Sequence, residues 1–285
     1  MEIPDELFKY RDFGKYTILS LLNQGLWIPK PSQLNDPFDA QFKISDVDVS
    51  IEQFKSAFLN YQCWYQKNHN HTIRYKGFEL LFDNGKPNSH LKEKVNLFRD
   101  FWDKESENLG VLSLSAVPEN TTMWSHYGEN HCGICIGYNP RKLFPKSPNG
   151  SLDWLRKVEY EEERDIIRNA YLLYANTGMC HSHIAVMELI YKMFSTKSID
   201  WSYEKEWRFL SPTHGGNLFK LEIDAISSIT FGLRTPVETK SAVSHILRYH
   251  QKKTKLFQTV RLDNTIGLKR VVMDGDSKYW GESYE

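Results

Sequence analysis

Leucine and serine alternate in Val111-Leu112-Ser113-Leu114-Ser115, which predicts a β-strand with both serines on one face. Apolar strands are also predicted at Leu7–Tyr10, Leu26–Ile28, Gly133–Tyr138 and Glu206–Leu210. Helical patterns lie between these strands without regular alternation of strand and helix. This order favours an α+β fold with a split, mixed or antiparallel sheet over a doubly wound fold.

The chain has 285 residues, near the upper end for one hydrophobic core, so we predict a single domain over 1–285. Ser50 and Gln53 have the spacing of a capping box, and we interpret residues 46–108 as a mostly helical insertion. Residues 236–285 are predicted to add a C-terminal helix and strands that complete the sheet. Further helices are predicted at Lys15–Gln24, Glu161–Tyr174 and Ser182–Lys197.

Charge balance, apolar runs and cysteine count argue against several classes of protein. The 36 basic residues balance 36 acidic ones, which gives no support for binding nucleic acid mainly through its phosphates. No apolar run is long enough to cross a bilayer, the first residues lack a secretory signal, and four cysteines are too few for a disulfide framework. We therefore predict a cytoplasmic protein without a membrane partner.

The turn Tyr203-Glu204-Lys205-Glu206 is the first candidate site. Two carboxylates just before a strand suit one that grips a substrate hydroxyl and one that positions a second group. This pattern makes Glu204 and Glu206 candidate catalytic residues. The alternative is a solvated loop in which Glu206 forms a surface salt bridge with Arg208, on the same strand face.

Two further strands offer ligand-binding groups. Ser113 and Ser115 share a face and can bond a ribose or an amide, although a wet sheet face has the same pattern. Tyr10 and Arg11 end the first strand, where an arginine can fork onto a phosphate. An ordinary exposed arginine is the alternative. We expect Arg11, Ser113 and the acidic turn to enclose one cleft.

The segment from Trp124 to His131 concentrates rings and imidazoles. Trp124 and Tyr127 could stack on a flat ligand, and His126 supplies an imidazole, a common proton-transfer group beside a nucleotide. A packed helical turn with satisfied histidines explains the same pattern.

A metal site is not predicted. Cys132 and Cys135 have C-x-x-C spacing, but an odd offset on a strand sends side chains to opposite faces. The remaining thiols and imidazoles are a weak ligand set: His131, Cys180, His181 and His183. Glycine-rich nucleotide loops and the H-E-x-x-H and G-x-S-x-G motifs are absent, which argues against P-loop ATPases, Rossmann dehydrogenases, zincins and typical α/β-hydrolases.

Five blocks in this order resemble the bacterial domain-of-unknown-function family 2971, which carries no established activity. They are Phe8–Arg11, Leu34–Asp39, Leu112–Ser115, Met123–Tyr127 and Tyr203–Arg208.

The chain also resembles, more distantly, the DarT-type DNA ADP-ribosyltransferases. Arg11, the Ser113-Leu-Ser115 strand and Glu204-Lys-Glu206 follow the order of the three transferase signatures. The turn that contains Asn35 and Asp36 is similar to the loop that those enzymes fold over NAD. The resemblance implies an ADP-ribosyltransferase-like fold.

It also implies that NAD is a consumed substrate and that the acceptor is a nucleic acid or a protein. Glu206 would hold the ribose 2′-hydroxyl, Glu204 would position or deprotonate the acceptor, and Arg11 would bind the phosphates. A role as a toxin or phage-defence effector follows by analogy. The implied NAD-binding residues are Tyr10, Arg11, Asn35, Asp36, Ser113, Ser115, Trp124, His126 and Tyr127.

Two alternatives belong to other classes. The same cleft could hold a nucleotide or a peptide without catalysis. A metal-free hydrolase or nuclease could instead use Glu204, Glu206 and His126.

We expect the purified protein to contain far less than one equivalent of zinc, because the cysteine spacing does not suit one strand face. Elemental analysis of the full chain measures this directly. Stoichiometric zinc that is lost on replacing Cys132 by serine would contradict the strand-parity argument.

Overall fold

The computed structural model describes residues 2–36, 39, 44–70, 72–143, 154–161, 169–179, 183–222, 224–250, 254–274 and 280. The chain divides into two units. The first comprises Met1–Pro29, Gly110–Glu162 and Lys197–Glu285, and the second comprises Lys30–Leu109 and Glu163–Thr196.

The described strands and helices are numbered in chain order. The strands are β1 (Leu7–Arg11), β2 (Gly25–Ile28), β3 (Phe82–Asp83), β4 (Lys86–Pro87), β5 (Gly110–Ser115), β6 (Ile134–Tyr138), β7 (Leu155–Lys157), β8 (Glu159–Glu161), β9 (Thr196–Ser198), β10 (Glu206–Ser211), β11 (Asn217–Lys220), β12 (Ile226–Phe231), β13 (Lys255–Arg261) and β14 (Leu268–Val272). The α-helices are α1 (Lys15–Asn23), α2 (Ile51–His69), α3 (Ser89–Asn108), α4 (Thr121–Tyr127), α5 (Pro140–Leu143), α6 (Ala170–Asn176), α7 (His183–Phe194) and α8 (Val237–Tyr249).

The first unit is built on a sheet that has eight strands within the described residues, in the order β14-β13-β12-β6-β1-β5-β10-β7. Strands β12 and β13 pair in parallel, whereas the other described neighbours pair antiparallel. The predicted α+β class and a mixed sheet are therefore confirmed. None of the helices in the described part of the chain combines the length and apolar character that crossing a bilayer requires.

Alternation along the central strands gives this sheet two different faces. One face carries a continuous apolar core that includes Leu112 and Leu114 of β5 and Phe209 of β10, packed with Leu21 of α1 and Val243 of α8. Burying each such side chain stabilises the fold by about 1.5–3 kcal/mol. The opposite face carries a smaller cluster with Phe8, Tyr10 and Cys135 from the strands and Met123 and Trp124 from α4.

Several predicted helix limits are corrected. The helix predicted at Lys15–Gln24 ends at Asn23, because Gln24 adopts the left-handed conformation that caps α1, with φ of 50°. Gly25 then begins β2. The predicted helix Glu161–Tyr174 is wrong at its start because Glu161 belongs to β8 and α6 begins at Ala170, where Asn169 caps it. Residues 162–168 lie outside the described residues.

The last turn of the predicted helix Ser182–Lys197 is also wrong. Helix α7 ends at Phe194, and Lys197 lies in the short strand β9. Ser182 lies outside the described residues. This change in backbone moves Lys197 from a helix end to a position beside the acidic turn, which determines the chemistry of the candidate site.

The second unit is mainly helical. The capping box predicted at Ser50 and Gln53 is present at the start of α2. In α3, the buried positions Leu91, Val95, Phe98 and Trp102 recur at helical spacing and form its inner face. Helices α6 and α7 belong to the same unit, so its helical content extends beyond residues 46–108.

We expect Gly133→Ala to lower the free energy of unfolding by about 2 kcal/mol or more, as overpacking does. A methyl group there would collide with the backbone carbonyl oxygen of Arg11, which cannot yield without moving β1. Gly267→Ala is the matched control, because its methyl group meets only the flexible end of Leu262. Chemical denaturation measures both variants, and equal losses would contradict this account.

Candidate functional site

The acidic turn lies where a short 3-10 helix, Ile199–Glu204, ends and β10 begins at Glu206. Lys205 lies between them in the left-handed conformation, with φ of 45°, and its N–H bonds to Ser202. This reversal directs the side chains of Glu204 and Glu206 towards one ammonium group, although they are only two residues apart.

That ammonium group is Lys197 from β9. Its Nζ lies 2.7 Å from Glu204 Oε2 and 3.2 Å from Glu206 Oε2. The three residues are only 3–4% exposed. An ion pair this deeply buried is worth much more than a surface pair when one partner is removed, because the other charge is left without compensation.

Glu206 is a fully engaged carboxylate. Arg208 Nε donates to its Oε1 at 2.9 Å and Arg208 Nη2 donates to its Oε2 at 3.1 Å. The Ser113 side chain also bonds to it, from the strand position paired with Arg208. With Lys197, these donors use the roughly four acceptor positions of a carboxylate.

These contacts correct two expectations for Glu206. Glu206 is not an exposed cleft carboxylate, and its ion pair with Arg208 is not a surface salt bridge, since Arg208 is fully buried. The predicted partners are present, but they form an internal anchor for the start of β10.

Glu204 is less fully engaged. It accepts hydrogen bonds from Lys197 and from the Tyr127 hydroxyl, the latter at 2.8 Å, which leaves acceptor capacity on both oxygens within the described residues. Ser115 does not face a ligand as predicted. It is buried, and its hydroxyl donates to the Glu204 backbone oxygen at 2.7 Å, so it fixes the turn.

The pKa values of the two carboxyl groups are shifted in opposite directions. Burial raises the pKa of Glu204, and the neighbouring Glu206 charge adds to this, against the effect of Lys197. Burial alone would also raise the pKa of Glu206, but Arg208 and Lys197 outweigh it and lower that pKa from 4.5 to about 2. Burial opposes the charge of Lys197, but the two glutamates raise its pKa.

The exposed rim of the site is aromatic and basic. His126 Nδ1 lies 3.2 Å from the Tyr203 hydroxyl, and both residues belong to segments next to Tyr127 and Glu204. The Lys197 ammonium also lies over the Trp201 ring, 4.7 Å from its centroid. His126 and Tyr127 therefore lie at the acidic turn.

Two predicted ligand contacts are instead core residues. Trp124 is fully buried and stacks on His131, so its indole presents no free face for a nicotinamide. Tyr10 is also buried, and its hydroxyl donates to the Val117 backbone oxygen at 2.7 Å.

Arg11 does not join the cleft. Phe8 pairs with Ser115, and Ser115 pairs with Glu206, so these three residues share one sheet face. Arg11 is three positions from Phe8 on the same strand and pairs with Ile134, so it lies on the opposite face. The expectation that Arg11, Ser113 and Glu206 enclose one cleft is wrong.

Asn35 and Asp36 belong to the second unit, where Asp36 is largely buried and its backbone oxygen accepts the Asp39 N–H. Their predicted contact with NAD stays a prediction. The adjoining Pro37 and Phe38 lie outside the described residues.

The thiols and imidazoles show no metal centre within the described residues, where no three metal-ligating side chains come together. Cys135 is buried in β6, while Cys132 lies in the preceding turn. Cys180, His181 and the side chain of His183 lie outside the part of the chain that the structure describes.

The sequence did not identify Lys197 or Tyr160 as site residues. The helical pattern of Ser182–Lys197 predicts a helix end at Lys197. The β-branched Thr196 and the polar residues beside it were the signal for a short strand. Tyr160 accepts the backbone N–H of Glu206 at 2.8 Å, and no sequence signal indicated this role.

The fold and site define an α+β protein with a buried centre of two glutamates, a lysine and an arginine. Residues 123–209, which contain that centre, match the family described as Protein of unknown function (DUF2971). This match supports the family resemblance drawn from the sequence. No curated protein and no solved structure matches the chain, so the resemblance to DarT-type enzymes has no counterpart among the comparisons.

We expect Glu206→Gln to lower the free energy of unfolding at pH 7 by about 3 kcal/mol, since it leaves Arg208 and Lys197 undercompensated. The folded-state pKa of Glu206 is depressed, so its stabilisation is present above pH 4.5 and is lost as the pH falls towards about 2. The stability gap between wild type and variant should therefore shrink over that range.

The matched control is Glu159→Gln, which removes an exposed carboxylate from β8 of the same unit. Denaturant titrations at several pH values measure both variants. A Glu206→Gln protein as stable as the control at pH 7 would show that the buried ion pairs do not anchor β10.

Proposed function

We propose that the first unit is an acid–base catalyst with Glu204 as its reacting carboxylate. We further propose that it consumes NAD, as an ADP-ribosyltransferase or an NAD glycohydrolase with an ADP-ribosyltransferase-like fold. The observation that carries the proposal is the buried centre in which Lys197 bridges two carboxylates, with Glu206 also held by Arg208 and, among the described residues, Glu204 held only by Lys197 and Tyr127. In keeping with these environments, the pKa of Glu204 is raised and that of Glu206 is lowered. Catalytic carboxyl pairs use such a difference to divide their roles.

The environments of the two carboxylates support different roles. Glu206 stays ionised and is occupied by Arg208, Lys197 and Ser113, so it is a positioning residue that fixes the charge of the site. Glu204 has a raised pKa and unused acceptor capacity, so it is the carboxyl group of the pair that can exchange a proton. This reverses the emphasis on Glu206 that the sequence suggested.

The proposed reaction breaks the bond between nicotinamide and ribose C1′, and the bonding electrons leave with nicotinamide. An acceptor hydroxyl or water then forms a bond to C1′, and Glu204 takes the proton that the acceptor loses. The ionised Glu204 carboxylate also stabilises the cationic sugar while the bond breaks. Tyr127 donates to Glu204 and sets its orientation.

Arg11 is not part of this proposal, because it lies on the other sheet face. The support comes instead from the carboxylates and from the order of the serine strand and the Glu-x-Glu turn. A nucleic-acid or protein acceptor and a role as a toxin or phage-defence effector rest on the resemblance alone. A cytoplasmic location remains a proposal from the composition of the sequence.

A second candidate is a hydrolase or nuclease that uses Glu204 and His126. The exposed His126 imidazole bonds to Tyr203, the residue before Glu204, so a second proton-transfer group lies at the rim. In phosphodiester cleavage, Glu204 would accept a proton and His126 would donate one to the leaving group.

We expect Glu204→Gln to reduce nicotinamide release from NAD by roughly a hundredfold, because it removes the proton acceptor without changing the size of the side chain. Since the pKa of Glu204 is raised, the acidic limb of the wild-type kcat/KM profile should lie above pH 4.5. Glu159→Gln, with an exposed carboxylate removed, should keep full activity.

The same proteins should be incubated with RNA and single-stranded DNA without NAD. Cleavage that depends on Glu204 and His126, without nicotinamide release, would favour the second candidate. Saturable NAD binding with neither reaction would identify a binding module instead.

A further inference from the structure

The second unit contains a cavity of about 530 Å³ between α3, α6 and α7. Its wall is apolar and firmly packed: Leu91 and Phe98 of α3, Tyr174 of α6 and Val186 of α7 line it and are each at most 7% exposed. Small-molecule sites in proteins typically enclose roughly 300–1,000 Å³ and have mainly hydrophobic and aromatic walls. The size and lining of the cavity therefore suit a small organic ligand.

One edge of the cavity is basic. His90 and Lys94 lie one helical turn apart on α3, line the cavity and are exposed. No ion pair of Lys94 with an acidic group occurs among the described residues, whereas Lys92 on the same helix lies 3.8 Å from Asp48. The basic edge thus has a positive charge beside an apolar space.

The apolar wall and the basic edge together favour one class of ligand. Water gains little in a space walled by Leu91, Phe98 and Val186, because it finds few hydrogen-bond partners there. A neutral apolar molecule would fill the space but would not use Lys94. One ammonium and one imidazole suit a single negative charge, which a carboxylate can place at the edge while its chain or ring remains inside.

We propose that this cavity binds an amphipathic carboxylate, with its apolar part against Phe98 and Tyr174 and its carboxylate towards Lys94 and His90. The site lies wholly within the second unit and does not depend on the proposed NAD chemistry of the first.

Octanoate and 1-octanol are suitable probes, because they share a chain and differ in charge. Isothermal titration calorimetry with the full chain should show tighter binding of octanoate. Lys94→Gln should weaken octanoate binding about fivefold, the upper range for a partly exposed ion pair, and should leave octanol within about twofold. Lys92→Gln is the matched control and should change neither affinity.

Val186→Phe places a ring in the cavity and should weaken both probes, with thermal melting as the check on folding. Lys94→Gln lies on the surface, so it tests the charge without disturbing the core. The proposal is overturned by any of three results: no octanoate binding to wild type, octanol bound as tightly as octanoate, or octanoate affinity unchanged in Lys94→Gln.

Discussion

The fully buried guanidinium of Arg208 is the constraint on which the first unit depends. A charge inside a β-sheet costs several kcal/mol unless it is paired and hydrogen-bonded. Glu206, two positions earlier on the same strand face, provides this compensation with two hydrogen bonds. The start of β10 is therefore fixed by electrostatics as well as by its ladder with β5. Lys197 joins the same network and brings β9 to the acidic turn.

This constraint separates the two glutamates into different roles. Glu206 is committed to Arg208, and its negative charge adds to the burial that raises the pKa of Glu204. Lys197 lies between the two carboxylates and lowers the pKa of both. The site therefore combines a fully engaged carboxylate, Glu206, with a buried carboxyl group, Glu204, whose acceptor capacity is only partly used by Lys197 and Tyr127.

Several residues that the sequence motifs suggested as ligand contacts are buried in the structure. Tyr10, Ser115 and Trp124 belong to blocks whose residue types suit ligand binding, yet each is engaged inside the protein. Their shared effect is to hold α4 and the Glu204 turn against the sheet. Residue types that suit ligand binding can therefore serve to hold neighbouring elements in place.

The sequence by itself determined the α+β class, the strand with Ser113 and Ser115 on one face, and the acidic turn before β10. These features follow from local alternation, capping and turn chemistry, which short segments encode. Only the tertiary structure decided that Arg11 faces away from Glu206 and that Lys197 lies between the glutamates. Strand register and burial depend on partners far along the chain, and no local pattern contains them.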